Sequence, residues 1–350
     1  MNAADSTMPA APRTVATPHP THKFRLLLRR EFWEHKGGFL WAPLVAGGIS
    51  LLLTVMAILI GEVAARQALA DGEFDGEIMV NGLDLGYLSD KLGPQELAEL
   101  SKGIDLSLYM ASGWPLLVLG FVVFFYCLGA LYDDRKDRSV LFWKSLPISD
   151  RDTVLSKAAS ALVVAPLIAI AASLATMVGF MIVASIVVLF HGGNPITLLW
   201  GPGNPLAIVA SYAANLPVYA LWALPTVGWL LMCSAWARSK PFLWAVMLPV
   251  FAGIFVSWFD LLPSLDMESG WFWSHVVGRV LLGTFPGMDL PYRDSFLVGG
   301  DSPDAVLADL SASSALQSLA MPELWIGAIA GAVMIAIAIR LRRWRGEADA

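Results

Sequence analysis

From Ala158 to Ala237 the chain runs for eighty residues without one Asp, Glu, Lys or Arg. Soluble domains carry charge on their surfaces, so this absence excludes one here. Charged residues make up only 15% of the whole chain, against 57% hydrophobic. Cysteine is nearly absent too: Cys127 and Cys233 lie far apart, each in an apolar stretch. That excludes a disulfide framework or a thiolate metal cluster and suits small buried hydrophobes. No G-x-x-x-x-G-K-[ST] occurs, so no loop of this chain is built to cradle the phosphates of ATP. H-E-x-x-H, G-x-S-x-G and C-x-x-C are also missing, and no enzymatic role or bound cofactor is expected. The five histidines, His19, His22, His35, His191 and His275, are scattered. They read as isolated interfacial residues, with a meeting of His191 and His275 as the alternative.

What the chain does contain is apolar runs. A bilayer crossing takes about 20 apolar residues, and in lipid each segment must satisfy its own backbone, which favours helices. Six runs qualify: Phe39–Gly61, Gly113–Tyr132, Ala158–Phe190, Pro205–Trp236, Pro241–Phe259 and Glu323–Ile339. The expected fold is therefore all-α and polytopic, with six transmembrane helices. Pro166, Pro217, Pro225 and Pro249 fall inside runs, where a missing N–H produces kinks. The Gly- and Pro-rich stretch from His191 to Asn204 splits the uncharged run into a hairpin. Gly327 and Gly331 form a G-x-x-x-G that lets another backbone approach closely, within the chain rather than in a dimer. Residues 1–20, rich in Pro, Ala and Thr and lacking an apolar core, read as a disordered tail and not a signal peptide. Residues 21–350 then form one membrane domain.

Basic residues cluster in cytoplasmic loops. With the N-terminus in the cytoplasm, segments 1–38, 133–157, 237–240 and 340–350 hold 18 of the 23 Lys and Arg. Glu62 to Asp105 carries ten acidic residues against three basic ones. Both termini are thus expected in the cytoplasm, and Trp41, Trp114, Trp200, Trp236, Trp244, Trp258 and Trp325 serve as interfacial anchors at span ends.

Three other segments carry information. In His22–Gly38, Phe24, Leu27, Leu28 and Phe32 recur at helical spacing beside Arg25, Arg29 and Arg30, the pattern of an amphipathic helix on the inner membrane face. Leu261 to Pro322 is expected outside, and its Trp271–Gly287 stretch is apolar but too short and too interrupted by Gly and Arg279 for a span. Asp133 to Lys157 combines charge, an apolar patch with Phe142 and Trp143, a Leu146-Pro147 break and a restart at Ser149, spaced from Asp152 as in a capping box. Exposed aromatics rimmed by charge suit a docking surface; a solvated turn resting on lipid headgroups is the alternative.

The stretch LYDDRKDRSVLFWKSLPISDRDTVLSK, with this order of helices, resembles the permease subunit of ABC-2-type transporters. The matching residues are Asp133, Asp134, Arg135, Asp137, Arg138, Leu146, Pro147, Ser149, Arg151 and Lys157. The chain departs from the family at Arg138-Ser139, where Gly-Thr is usual, and it lacks the following Glu. The resemblance implies that this loop, Phe142 and Trp143 included, is a coupling helix resting on a separate P-loop ATPase subunit. It further implies a second permease subunit, identical or related, ATP and Mg on the ATPase, and a re-entrant or interfacial segment before the last span, which Trp271–Gly287 matches; the small chain suits a bacterial inner membrane. Uncharged spans suit export of an apolar or amphiphilic substrate. Membrane lipid is a partner and nucleic acid is not. A membrane-embedded scaffold or assembly factor, and an ATP-independent channel or transporter, are the alternatives.

Overall fold

A computed structural model describes residues 20–70, 93–136, 149–260, 268–292 and 302–348. Among these residues the chain is helical and contains no strand. Six helices are long and apolar enough to cross a membrane, at Gly37–Ala64, Pro94–Lys136, Asp150–Phe190, Pro205–Trp236, Pro241–Asp260 and Pro322–Trp344. Each contains one expected run, so the protein is an all-α polytopic membrane protein. The tail at 1–19 lies outside the described residues, and Pro20 already opens the N-terminal helix, Pro20–Glu34.

The fourth span is the centre of the bundle. Ala223, Val227, Leu230 and Leu231 are fully buried on it, among Leu119, Val123 and Cys127 of the second span and Ile335 and Ala338 of the sixth. The sixth span approaches it where side chains vanish. A Cβ on Gly331 would lie 2.5 Å from the Leu224 carbonyl carbon and 2.6 Å from Pro225 N, and one on Gly228 would lie 2.5 Å from Gly331 O. The G-x-x-x-G therefore serves packing within the chain. Both cysteines are buried and free. The first and fifth spans leave most of their surface exposed, as helices in contact with lipid do.

Prolines are accommodated rather than excluded. Pro249 cannot donate to the carbonyl of Ala245 one turn earlier; Trp229 Nε1 on the fourth span donates to it instead, at 2.9 Å. Pro166 is the second residue after a π turn, Ser160–Val164, that joins Asp150–Ala159 to Ala165–Phe190. The third span thus begins at Asp150, eight residues earlier than its apolar run. All seven expected anchor tryptophans are substantially exposed, six of them near span ends, whereas Trp114 lies midway along the helical run Pro94–Lys136.

Contacts at the two ends confirm an alternating, up-and-down bundle. One end is basic and gathers the N-terminal helix, the close of the second, fourth and sixth spans and the start of the third. At the other end Asp105 accepts from Asn204 N at 2.8 Å and Ser101 donates to Pro202 O at 2.7 Å. Three helices there go beyond the sequence reading: Pro94–Ser112, Pro303–Asp309 and Ala312–Ser318. Lys102 of the first pairs with Asp304 of the second at 2.9 Å.

Also at this end, His191 joins the first span to the third. Its Nε2 lies 2.8 Å from Glu62 Oε2 and its Nδ1 2.9 Å from Val187 O; both acceptors are satisfied only by a protonated ring. The Val187 carbonyl foremost, with Glu62 adding to it, raises the His191 pKa against the opposing effect of burial and of nearby Arg66. The resulting stabilisation is complete below the ordinary histidine value of about 6.5 and is lost as pH rises through the raised value. Thermal unfolding in detergent should therefore show Tm falling across that interval, and His191→Gln should flatten the fall. An unchanged pH dependence in the variant would assign the effect elsewhere.

Candidate functional site at the basic end

Five charged side chains form a continuous chain of alternating sign at the basic end. Lys157 Nζ stands 3.2 Å from Glu31 Oε1 and 3.5 Å from Asp134 Oδ2. Arg342 donates from Nη1 to Asp134 Oδ2 at 3.3 Å and from Nε to Asp150 Oδ1 at 3.0 Å. Tyr126 OH donates to Glu31 Oε2 at 2.8 Å. Glu31 is 0% and Lys157 1% exposed, with Asp134 and Arg342 also buried. Removing such charges from water costs several kcal/mol each, about what mutual attraction returns. The chain therefore contributes registry more than net stability: it holds the N-terminal helix and the second, third and sixth spans in one arrangement.

Local structure places each member. Ser149 Oγ accepts from Asp152 N at 3.0 Å, the N-cap expected from the sequence, and starts the helix that carries Asp150 and Lys157. Glu31 sits one turn beyond buried Leu27 on the N-terminal helix, whose Phe24, Leu28 and Phe32 are half-buried while Arg25 and Arg29 are exposed. That is the expected stripe, but with a carboxylate at its centre.

The residues singled out by motif divide into groups. Asp134 and Lys157 enter the ion chain. Arg135 turns to the fourth span and donates to the carbonyls of Ser234 and Ala237, capping a helix end whose dipole favours a cation. Asp133 and Arg151 are exposed. Asp137, Arg138, Phe142, Trp143, Leu146 and Pro147 lie outside the described residues. Sequence reasoning passed over Glu31 and treated Arg342 only as part of the basic C-terminal flank. The signal available for Glu31 was its place on the apolar stripe, i+4 from Leu27.

Towards the opposite end, Trp271–Gly287 forms a broken helix of Ser269–Phe272, a π turn Trp273–Gly278 and Arg279–Leu282. It inserts between spans. Trp273 Nε1 donates to Ser257 of the fifth span at 2.8 Å, and Tyr219 of the fourth donates to Thr284 O at 3.0 Å. A Cβ on Gly120 of the second span would strike the Phe285 ring. Arg279, expected in an external loop, is instead buried, with its guanidinium 4.1 Å from the Trp222 ring and bonded to the carbonyls of Glu323 and Leu324. Losing that charge-assisted anchor costs about 1.5–3 kcal/mol. Arg279→Met should thus raise proteolysis within 268–292 while sparing the rest of the bundle; equal resistance would deny the anchor.

This insertion closes one side of a cavity of about 670 Å³ between the second and fourth spans. Leu116, Leu117, Phe285 and Leu290 give it an apolar wall, with Tyr109, Tyr212 and Asn215 presenting polar groups. Size and lining suit a small apolar or amphiphilic molecule. No family model, curated protein or solved structure matches the chain.

Proposed function

We propose that this chain is the membrane-spanning permease subunit of an ATP-driven ABC-2-type transporter of a bacterial inner membrane. Both termini are then cytoplasmic, and the chain works with a second permease subunit and a separate P-loop ATPase that binds ATP and Mg. The observation that best supports this reading is the position of Arg342. Its guanidinium grips Asp134 and Asp150, both within the Asp133–Lys157 segment that resembles the family's coupling loop. A push on that segment reaches the sixth span through Arg342 and the N-terminal helix through Lys157. The cavity of about 670 Å³ is where an apolar or amphiphilic substrate would lodge.

The test is a double substitution outside the ion chain. Buried aromatic anchors dominate interfaces, each worth about 2 kcal/mol or more on truncation. Phe142→Ala with Trp143→Ala should leave membrane insertion intact but release a copurifying ATPase or uncouple ATP hydrolysis from transport. The isolated chain should hydrolyse no ATP. Full ATPase retention and transport in the double variant would remove the coupling role from these two aromatics.

A further inference from the structure

At the basic end a cleft of about 910 Å³ opens between the first turn of the third span and the last turns of the sixth. Its walls change character along its length. Ala336 and Ile339 line the part nearer the middle of the bundle; Ser149, Arg151, Arg340 and Arg343 form the rim, with the buried Arg342 behind them. The one carboxylate in the lining among the described residues, Asp150, is held by Arg342 at 3.0 Å. Arg342 is buried and already engaged by Asp134 and Asp150, and the exposed Arg151 and Arg340 keep the rim positive among the described residues. Trp344 stands beside it, 57% exposed, with the Arg340 guanidinium 4.9 Å from its ring, as an aromatic at headgroup level does.

A soluble anion would use the rim and leave the aliphatic wall idle. An apolar helix would cover the wall and bury guanidinium groups against nothing. Only a molecule with an anionic head and a hydrocarbon tail matches both. We infer that this cleft holds one anionic glycerophospholipid of the surrounding leaflet. Planar guanidinium groups fit phosphate oxygens in pairs, and basic pockets between membrane helices take such heads. One acyl chain then runs past Ala336 and Ile339 towards exposed Val333. This site does not depend on the transport reading, since a scaffold would hold the same lipid.

The full chain, purified in neutral detergent, would be titrated with dioleoyl phosphatidylglycerol, dioleoyl phosphatidylcholine or water-soluble glycerol phosphate. Native mass spectrometry counts retained molecules and thermal unfolding reports stabilisation. One phosphatidylglycerol per chain should be retained, with a raised Tm, and neither other probe should match it. Arg151→Gln with Arg340→Gln should weaken retention roughly thirtyfold, taking about fivefold per basic side chain near an anionic surface. Arg25→Gln with Arg29→Gln removes equal charge from the same end and should retain the lipid normally. Equal loss in both pairs would mean diffuse attraction and overturn the site, as would equal retention of phosphatidylcholine. Competition by glycerol phosphate at the same concentration would reassign the rim to a free phosphate. Should the arginine pair fail to fold, Ala336→Trp decides: it fills the wall from an exposed position and leaves the rim intact. Its undiminished retention of phosphatidylglycerol would refute a seated acyl chain.

Discussion

Lys157→Met should destabilise the protein by about 3–5 kcal/mol, because it leaves a buried carboxylate without its counter-ion. Glu31 is 0% exposed and would keep the Tyr126 hydroxyl at 2.8 Å and the His35 ring nitrogen at 4.0 Å, whereas Asp134 would still have Arg342. Adding Glu31→Gln removes the stranded charge, so the double variant should recover much of the loss. A coupling energy of about 1–3 kcal/mol is expected between residues in one such network. Unfolding of the four proteins of this cycle in detergent measures it. If the two substitutions simply add, the charges are not joined. Under the permease reading, the recovered double variant should remain poor in transport, because a neutral pair no longer fixes the N-terminal helix to the third span.

A comparable loss is expected from a single methyl group. Gly331→Ala would place its Cβ 2.5 Å from the Leu224 carbonyl carbon and 2.6 Å from Pro225 N. Backbone atoms of a buried helix cannot turn aside as a flexible side chain can. Overpacking of this kind costs about 1–3 kcal/mol or more, although alanine is intrinsically the better helix former by about 1 kcal/mol. The sign of the effect is therefore diagnostic. Gly48→Ala, on the exposed first span with nothing within 4 Å of the added atom, should be neutral or mildly stabilising. Denaturation midpoints of the two variants compare them directly, and a gain in both would mean the fourth and sixth spans pack less closely than described.

Apolar runs located each span because lipid imposes the same requirement on every crossing, whatever surrounds it. They misplaced the starts of the second and third, where Pro94–Ser112 and Asp150–Ala159 extend the helix with polar sequence. Hydropathy is silent there, since those turns pack on protein. Ile104, Leu108 and Ala111 do repeat at helical spacing along one face of Pro94–Ser112, and Glu96 accepts from Gly93 N at 2.8 Å to start it. Both signals are local and legible, but they were masked by the acidity of the surrounding segment. The Gly- and Pro-rich hairpin, by contrast, was plain because positive φ at Gly192 and the Asn204 N-cap are properties of single residues.

Charge shows most sharply where local reading ends. Sorting of Lys and Arg along the chain expresses an average preference of each segment for one side of a membrane, so it needs no knowledge of contacts. Composition and periodicity likewise suffice for an all-α, six-span protein and for the Ser149 cap. Which charges are buried is a different question. Glu31, Asp134, Asp150, Lys157 and Arg342 are spread over more than three hundred residues of sequence, and each alone reads as an ordinary polar residue near a span end. Only the close packing of the sixth span on the fourth, made possible at Gly331 and Gly228, brings the sixth span's final turns beside the second and third and makes a chain of ion pairs. Ion pairing falls off over a few ångströms and depends on what excludes water, so it arises from tertiary packing and cannot be read from order along the chain.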